Sequence, residues 1–486
     1  MKLILTAILF SLSLFARTFT PETNSDLEVI LDYAKRSGKK IRVIGTQKSS
    51  QSTNIRPEEE LPIVVSMRKF RDISGPYKRN GRQFVTIESG VTIGELNAYI
   101  ADFNKTIGYP WPGASNLNVV GVVVTNSHGD SWLHPSVTSD SVVGVEFIDG
   151  TGKIHKLTTP QEIAPVITGL GMFGIVTKID IEVFDEFGLS MITKVKKDAL
   201  LYDTKALEER VMECDSYKIH WMPKPKKIVE LCGKKMDYVP RNPKDAFQKV
   251  IFRPDVKLWT AKFAAKLFKY GFKNPWVWRT LEGLNPLFFR LSPYFKKKTK
   301  LGIWVSTNRI DGNSQEVFTY DVNPYLQLTK AQDYEITVPW SQFPQALRYV
   351  KNLAKQKKLY FPAYGISLRF TRFTVSNTFG HLAHTGKEDR AVIFEFGSHK
   401  LEPWMGKKEV QRVKDYESIG MDLVEKFGAT THIGKNSRSI LDFSLRCGDQ
   451  SETVVAFAST VKKYDPDNIF SGGWINRLLI GESCPN

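Results

Sequence analysis

The chain has 486 residues, of which 42% are hydrophobic and 24% charged, so it is long enough for two or three domains and too ordinary in composition for wholesale disorder. Its formal net charge of +17 favours anionic partners such as lipid headgroups or acidic substrates. No helix-turn-helix, zinc-finger or RNA-module pattern accompanies that charge, so we expect no nucleic-acid partner.

Residues 1–16 have the layout of an export signal, with Lys2 beside the terminus, a short apolar stretch and Ala16 at its end. Leu14 and Phe15 stand where small residues are preferred before a cleavage site, so an uncleaved N-terminal anchor is the alternative. We expect an exported protein, periplasmic, lumenal or secreted, and membrane association is a further expectation.

Between residues 19 and 185, short strands and helices alternate, which predicts an α+β arrangement. An amphipathic helix is predicted from Asp26 to Arg36, closed by Gly38. A strand from Phe84 leads through a glycine turn to a second helix, with Thr92 as its N-cap and Glu95 three residues on. Further strands are predicted at residues 41–44, 63–66, 142–147 and 175–183.

Two glycine-punctuated loops, residues 41–50 and 119–129, carry the most information. In each, a β-branched apolar run predicts a buried strand that breaks into small and hydroxylic residues. Backbone N–H groups in such loops can face a diphosphate directly. In residues 169–177, three further glycines allow the backbone to approach a flat ligand before a strand resumes. The pattern indicates a flavin dinucleotide site.

The order and spacing of these four segments resemble the PCMH-type FAD-binding domain of the vanillyl-alcohol oxidase superfamily, in its aldonolactone and sugar-alcohol oxidoreductase branch. The resemblance implies a two-subdomain FAD-binding domain over residues 19–185. It also implies an α+β substrate cap over residues 189–425 and a C-terminal segment, 426–486, that folds back onto the flavin domain. The residues it implies as FAD contacts are Gly45, Thr46, Gln47, Lys48, Ser49, Ser50, Gly113, Ala114, Ser115, Gly121, Thr125, Asn126, His128, Gly129, Gly171, Gly174, Ile175 and Val176.

Within that set, backbone groups of Ser49, Ser50, Gly121 and Asn126 are expected at the diphosphate or ribityl chain, and Ile175 with Val176 at the adenosine. In many relatives a histidine at the position of Lys48 bonds covalently to the flavin. An ammonium group is not expected to replace it, so we predict noncovalent FAD.

The segment from Pro110 to Ser115 resembles the one that controls access of dioxygen to the reduced flavin in this branch. Its small residues do not choose between an oxidase and a dehydrogenase.

The C-terminal segment contains Thr431-His-Ile-Gly-Lys435, which resembles the His-Trp-x-Lys motif of the branch with Ile433 in the tryptophan position. It precedes the closing Asp-Pro…Phe-Ser pattern of residues 465–471. The resemblance implies that Lys435 lies at the flavin edge, where a cation stabilises arriving negative charge, and that His432 lies near the reacting face. Trp474 is expected to wall the pocket.

Ser367-Leu-Arg369 resembles the Glu-x-Arg strand of the branch, in which the arginine holds substrate oxygens. Arg369 keeps the fork of donors, and the alternative for it is a paired core arginine. Ser367 lacks the carboxylate, so the base is either His432 or absent. The implied catalytic set is Lys435, His432 and Arg369.

Residues 259–300 combine many aromatic side chains with lysines and arginines. Such helices lie well at an anionic membrane surface, while the alternative is that the aromatic residues form the core of the cap and the lysines its solvated side.

The four cysteines allow three pairings, and we expect Cys214 with Cys232 and Cys447 with Cys484; the alternative is four free buried thiols. Their spacing offers no zinc-site pattern, and no metal is expected.

The leading hypothesis is an FAD-dependent oxidoreductase that oxidises a secondary alcohol of an aldonolactone or related polyol and passes electrons to O2 or another acceptor. One alternative keeps the flavin fold but oxidises a lipid-linked sugar or sterol at a membrane. A third is a degenerate protein that binds flavin or membranes without turnover, which the identities of Lys48, Ser367 and Ile433 favour.

Overall fold

The computed structural model describes residues 18–46, 63–240, 248–249, 258–291, 295–298, 304–318, 329–362, 364–373, 388–448 and 451–470. Within these ranges the chain combines helices with five sheets, which confirms the predicted α+β class. The predicted export signal, the predicted contacts Gln47, Lys48, Ser49 and Ser50, and Trp474 lie outside the described residues.

A small parallel sheet opens the fold, and an amphipathic helix packs on it. Its strands are β1 Thr18–Phe19, β2 Ile41–Ile44 and β3 Ile63–Ser66, and β3 lies in the middle. Helix α1, Asn24–Ser37, begins after Thr23, whose side chain accepts the Asp26 N–H, and ends at Gly38 with φ of 63°. The predicted helix and both predicted strands are confirmed.

A five-stranded antiparallel sheet follows. Its strands are β4 Ile73–Arg79, β5 Arg82–Glu88, β7 Val142–Asp149, β8 Ile154–Leu157 and β9 Gly174–Glu182, in the order β4-β5-β9-β7-β8. Helix α2, Ile93–Ala101, packs on this sheet. It begins with the predicted capping box, in which Thr92 N donates to Glu95 Oε2 at 2.9 Å and Glu95 N donates to Thr92 Oγ1 at 3.3 Å.

The second glycine loop differs from its prediction, because Val119–Val124 forms a short helix, α3, and not a buried strand. Asn118 caps this helix: its Oδ1 accepts the Gly121 N–H at 2.8 Å, and its Nδ2 donates to Ser89 O at 2.6 Å. Capping together with burial of the valines outweighs their modest helix propensity. A short apolar run of this kind has no periodicity that separates a buried strand from a buried helix.

An eight-stranded antiparallel sheet dominates the rest of the molecule. Its strands are β11 Gly188–Lys197, β12 Ser216–Met222, β13 Lys227–Met236, β17 Arg309–Asn313, β18 Ala331–Pro339, β19 Ile366–Arg372, β20 Arg390–His399 and β21 Thr430–Thr431. They lie in the order β17-β11-β13-β12-β19-β20-β18-β21.

Further elements surround the three sheets. The other helices are α4 Pro160–Ile163, α5 Thr204–Met212, α6 Leu258–Lys273, α7 Pro275–Leu291, α8 Ser314–Phe318, α9 Phe343–Gln356, α10 Lys407–Phe427, α11 Arg438–Cys447 and α12 Ser451–Tyr464. Single 3₁₀ turns occupy Thr138–Ser141, Asp198–Tyr202 and Trp340–Gln342. The remaining strands are the pair β6 Lys105–Thr106 and β10 Phe184–Asp185, and the small sheet of β14 Gln248–Lys249, β15 Phe295–Lys298 and β16 Trp304–Thr307.

The two faces of the large sheet have opposite chemistry, because successive side chains of a strand point to opposite sides. One face packs against α9 and α10 in a hydrophobic core to which the middle strands contribute Ile219, Tyr334, Ile336, Leu368 and Phe394. The alternate positions carry polar side chains, namely Lys218, His220, Glu335, Ser367, Arg369 and Glu395. This polar face meets the chain after α3, where His128 bonds to Glu335.

Residues after α10 contact both halves of the molecule. Thr430–Thr431 pairs with β18 at the edge of the large sheet. Ile433 and Leu441 pack with Leu170 and Met172, which precede β9. Ile469 then accepts the Ile41 N–H at 2.7 Å. The predicted domain limits stay a prediction.

One disulfide is described, between Cys214 and Cys232 with Cα atoms 5.5 Å apart, and it confirms that predicted pairing. Cys447 is also disulfide-bonded. Its predicted partner, Cys484, lies outside the described residues.

Candidate active site

The first glycine loop, the start of α3 and the turn before β9 lie close together. A Cβ on Gly45 would come within 3.2 Å of Asn118 Cβ, at the N-terminus of α3. Gly171 adopts φ of 73°, and the nearest atom to a Cβ there would be Val43 Cβ at 4.0 Å, so the space beside it is open. Gly45 and Thr46 are themselves exposed. The structure thus brings three of the predicted flavin segments to one place.

Gly174 and Gly129 serve close packing of the protein on itself. A Cβ on Gly174 would lie 2.3 Å from Ile148 O, and one on Gly129 would lie 1.9 Å from Tyr109 O. Ile175 and Val176 are buried in two hydrophobic cores. Their side chains are therefore occupied, so a contact to adenosine at these positions would use backbone groups.

The segment with Gly113, Ala114 and Ser115 lies against the start of α2. Ser115 O accepts the Gly94 N–H at 2.8 Å, and Ala114 is buried. Ile93 N also donates to Leu117 O at 2.9 Å. The segment therefore runs along the first turn of α2 and leads directly into α3, in the second glycine loop.

The backbone N–H groups of Gly121 and Asn126, two predicted cofactor contacts, have partners within the protein. The Gly121 N–H donates to Asn118 Oδ1 within the helix cap, and Gly121 O accepts from Thr125 Oγ1 at 2.9 Å. The Asn126 N–H donates to Val123 O at 2.9 Å. Both N–H groups thus donate to hydrogen bonds of the protein itself, and the contacts of these backbone groups to the diphosphate or ribityl chain stay a prediction.

The Asn126 side chain is a candidate for a cofactor contact. It is fully buried, and neither its Oδ1 nor its Nδ2 finds a hydrogen-bond partner among the described residues. Burying an amide without partners costs about 1–3 kcal/mol. The residue also adopts φ of 52°, in the left-handed region. A ligand with donors and acceptors at this place would satisfy both atoms.

Lys435 lies between two carboxylates of the large sheet. Its Nζ is 2.6 Å from Glu335 Oε2 on β18 and 2.6 Å from Glu395 Oε1 on β20. Burial opposes the charge on Lys435, but the two glutamates and Asp333 outweigh it and raise the pKa of the amine. The pKa of Glu335 is held well below its usual range, although burial opposes this, by Lys435, His128 and His432. Lys435 is thus a fixed cation.

Glu335 ties this lysine to the second glycine loop. His128 Nε2 lies 2.8 Å from Glu335 Oε1, and His128 Nδ1 lies 2.8 Å from Gly129 O. The backbone around Glu335 is equally engaged: its N–H donates to Asn436 Oδ1 at 2.9 Å, and its carbonyl accepts from Asn436 Nδ2 at 3.0 Å. One buried carboxylate therefore fixes the position of the loop at residue 128 relative to the loop at residue 435.

His432 lies beside the cluster as a neutral ring. Its Nδ1 accepts the Gly434 N–H at 2.9 Å, so the ring proton is on Nε2, 3.9 Å from Glu335 Oε1. Burial, opposed by Glu335 and reinforced by nearby cations, lowers its pKa to about 4. With Nδ1 engaged, His432 offers a donor at Nε2. This arrangement argues against His432 as the base.

Arg369 is paired with Asp130, as expected for the alternative of a paired core arginine. It contacts Asp130 through Nε, and its Nη2 donates to His128 O at 3.1 Å. Lys218 stands opposite Arg369 on β12, and burial together with the neighbouring cations lowers the pKa of its amine despite Asp130. Arg369 is nonetheless on the polar face, two positions from Ser367, so it combines a structural pair with a place in the site.

Sequence reasoning missed the acidic partners Asp130, Glu335 and Glu395 and the amine of Lys218. A signal for two of them was present, because Glu335 and Glu395 interrupt the apolar strands at residues 331–339 and 390–399. A lone carboxylate in a buried strand is rarely tolerated without a cationic partner, so each of them calls for one.

FAD fits the residues at this place. The space beside Gly171 is open, Asn126 presents buried polar atoms without partners among the described residues, and Lys435 supplies a fixed positive charge paired with the large sheet. Positive charge near the N1 and C2 carbonyl edge of a flavin stabilises the negative charge that reduction places there.

Comparisons with known proteins support FAD as the cofactor. Residues 15–158 match the family described as "FAD binding domain". A probable L-gulonolactone oxidase of Arabidopsis thaliana is 22% identical over 503 residues, covering 94% of this chain and 78% of that protein. A D-arabinono-1,4-lactone oxidase of Debaryomyces hansenii is 25% identical over 218 residues, which covers 42% of this chain and only 38% of the relative.

The fold is also similar to solved structures. A variant of cholesterol oxidase from Brevibacterium sterolicum superposes with a TM-score of 0.73 at 14% identity, over 95% of this chain and 94% of that one. The chain therefore carries an FAD-binding domain and is an FAD-dependent oxidoreductase that is similar to the lactone oxidases.

Proposed function

We propose that the protein oxidises a secondary alcohol of an aldonolactone or a related sugar or polyol. The observation that carries this proposal is the fixed charge of Lys435 between Glu335 and Glu395, on a sheet face that meets the flavin loops. Hydroxyl-rich substrates need several charged and polar partners, and this face supplies them. The names of the lactone oxidases that resemble the chain point to the same substrate class.

FAD, when bound, accepts the hydride and its two electrons, which then pass to O2 or another acceptor. Lys435 stabilises the negative charge that develops next to it, because its own charge is already in place and needs no reorganisation. Arg369 orients a substrate oxygen through the guanidinium N–H groups that do not bond to Asp130 or His128. His432 donates a hydrogen bond from Nε2.

The test of this proposal is anaerobic mixing of the yellow protein with gulono-, galactono- and arabinonolactone and with polyols. Rapid bleaching of the flavin absorbance by one of them supports the proposal. A flavin that no lactone or polyol bleaches, but that dithionite reduces, contradicts it.

The cofactor is proposed to be noncovalent, since Lys48 stands where the linking histidine of many relatives would be. Denaturing gel electrophoresis followed by ultraviolet excitation tests this. We expect no fluorescent protein band, and a band that keeps its flavin fluorescence would contradict the proposal.

A lipid-linked alcohol is the second candidate, and one observation favours it. Helices α6 and α7 form a hairpin whose large apolar side chains are exposed: Trp259 is 68% exposed, and Phe263, Trp276 and Phe288 are each 63% exposed. Other aromatic residues of the hairpin, Phe272 and Trp278, are buried, so part of the hairpin belongs to the core, and the exposed part supports the membrane proposal.

The charge of this hairpin suits an anionic membrane. Among its described residues the cations are Lys262, Lys266, Lys269, Lys273, Arg279 and Arg290, while the acidic side chain is Glu282, which is 1% exposed. Exposed aromatic groups next to lysines are the composition of helices that lie in the headgroup region. In the part of the chain that the structure describes, no helix is long and apolar enough to cross a membrane.

Pelleting with vesicles tests the membrane proposal. The full protein should pellet with phosphatidylserine vesicles at low salt, and Trp259→Ser with Phe263→Ser should release it. Phe103→Ser, at an aromatic residue that is 41% exposed elsewhere, is the matched control. Equal binding of all three proteins would contradict the role of the hairpin.

Export to an oxidising compartment is proposed as well. The Cys214–Cys232 disulfide supports it, because disulfides persist in such compartments. Fractionation of the native source tests it: recovery of the chain only from the cytosol, with reduced cysteines, would contradict export.

A further inference from the structure

The strand that carries Arg369 has a serine, Ser367, where a carboxylate was expected. Ser367 stands where the resembling branch has glutamate, and it is fully buried. Its Oγ has no hydrogen-bond partner among the described residues. A buried hydroxyl group without a hydrogen-bond partner calls for an explanation. A ligand group that bonds to it in the occupied site would supply one.

The register of the sheet places another carboxylate next to Ser367. Strands β19 and β20 are antiparallel, and Ser367 is directly opposite Glu395. Directly opposed residues project from the same face, with Cβ atoms about 4.5–5.5 Å apart. The short serine side chain leaves that face open for the longer glutamate.

Glu395 also has the right surroundings. Its Oε1 accepts from Lys435 Nζ at 2.6 Å, and Arg369 is the residue two positions beyond Ser367 on the neighbouring strand. The Glu395 side chain is 14% exposed, whereas Glu335, the other partner of Lys435, is completely buried. Of these two carboxylates, only Glu395 is accessible to a ligand.

Glu395 is ionised at neutral pH. Burial and the nearby Glu335 raise the pKa of this carboxyl group, whereas Lys435 and, more weakly, Arg369 and Lys218 lower it, and the balance is a pKa below the usual value. An ionised carboxylate accepts hydrogen bonds from hydroxyl groups and makes them roughly twice as strong as neutral acceptors do. Lys435 donates to Oε1 of this carboxylate, and Oε2 is its second acceptor oxygen.

We propose that Glu395 is the residue that accepts the hydrogen bond of the substrate hydroxyl, so that the carboxylate absent at position 367 is supplied from the adjacent strand. The inference rests on the proposed oxidation of a sugar or polyol. It adds a catalytic residue, one that touches substrate, to the set predicted from the sequence.

The test uses the FAD-loaded protein and two ligands: the lactone that bleaches the wild-type flavin, and its deoxy analogue, in which hydrogen replaces the reacting hydroxyl. Glu395→Gln should weaken the apparent affinity for the lactone by about 10-fold to 100-fold, which is the usual effect of losing a charge-assisted hydrogen bond. The dissociation constant of the deoxy analogue, read from the flavin difference spectrum, should change less than about 2-fold.

The second part of the test moves the carboxylate from position 395 to position 367. The double variant Ser367→Glu with Glu395→Ser should recover most of the lactone affinity that Glu395→Ser alone loses. Glu425→Gln, at an exposed position on α10, is the control for removal of one charge and should match the wild type.

The outcomes separate the two proposals. If no lactone or polyol bleaches the wild-type flavin, the proposed function fails. If the wild type is bleached but Glu395→Gln weakens lactone and deoxy analogue equally, or neither, the role of Glu395 is overturned while the function stands. Flavin content and the thermal unfolding midpoint of each variant show whether the site is still folded.

Discussion

Lys435 and Glu335 form a buried pair, with Nζ 2.6 Å from Oε2, that joins the C-terminal segment to the middle of the large sheet. The same carboxylate holds His128 at 2.8 Å, so it also reaches the second glycine loop. Three segments far apart in the sequence therefore depend on one side chain.

Removing the charge of Glu335 should destabilise the protein. Glu335→Gln leaves Lys435 with one carboxylate partner fewer in a buried place, which typically costs about 3–5 kcal/mol. Urea unfolding measures the loss. Glu208→Gln is the matched control, since Glu208 pairs with Arg390 at the surface and such a pair contributes about 1 kcal/mol or less. Equal losses in the two variants would contradict the account.

Replacing Lys435 should slow flavin reduction while leaving the flavin in place. Lys435→Met removes the fixed cation, and loss of one such electrostatic group costs about 100-fold to 1,000-fold in rate. Lys435→Arg should keep part of the rate because it keeps the charge. Anaerobic stopped-flow absorbance measures both variants. A methionine variant that reduces its flavin at the wild-type rate would exclude this role.

Asn126 should contribute to cofactor affinity through its side chain. Asn126→Ala removes the buried amide whose atoms lack partners among the described residues, and we expect about a 10-fold weaker affinity for FAD. Asn80→Ala is a suitable control, because Asn80 has φ of 51° against 52° for Asn126 but is exposed in a turn. Fluorescence titration of the apoprotein with FAD distinguishes them. Equal losses would point to backbone strain and not to a cofactor contact.

Glu282 should make stability depend on pH. It is buried on α7, where Lys224 N donates to Oε1 and Phe361 N donates to Oε2, each at 3.0 Å. Burial, partly offset by these hydrogen bonds, raises its pKa from 4.5 to about 7. An acid with a raised pKa in the folded state favours the fold at low pH. The free energy of unfolding should therefore fall by about 1 kcal/mol per pH unit between pH 4.5 and 7 and then level off.

Comparison with Glu282→Gln isolates this contribution. The difference in unfolding free energy between wild type and variant should follow the same pH window. A difference that does not vary between pH 5 and 8 would contradict the raised pKa.

The sequence predicted the elements whose signals are local. The helix from Asn24, the capping box at Thr92 and the strands at residues 41–44 and 63–66 follow from periodicity and capping residues, and they are confirmed. The run at Val119–Val124 was predicted wrongly, because β-branched residues favour strands and only the cap at Asn118 reveals the helix.

The site was predicted as far as motifs reach. His432 and Lys435 lie close to His128, although they belong to a different motif. The motifs by themselves do not imply this proximity. The acidic partners of these residues were not predicted, because Glu335 and Glu395 are paired with each other across neighbouring strands and meet Lys435 only in the folded chain. Cross-strand register depends on tertiary structure and is not encoded in any one segment.

The most direct test of the central claim is a crystal structure of the FAD complex. We expect Lys435 Nζ within hydrogen-bond distance of the N1 and C2 carbonyl edge of the flavin, still paired with Glu335, and the Asn126 amide bonded to the cofactor. A flavin bound with that edge turned away from Lys435, and with no atom near Asn126, would contradict the account.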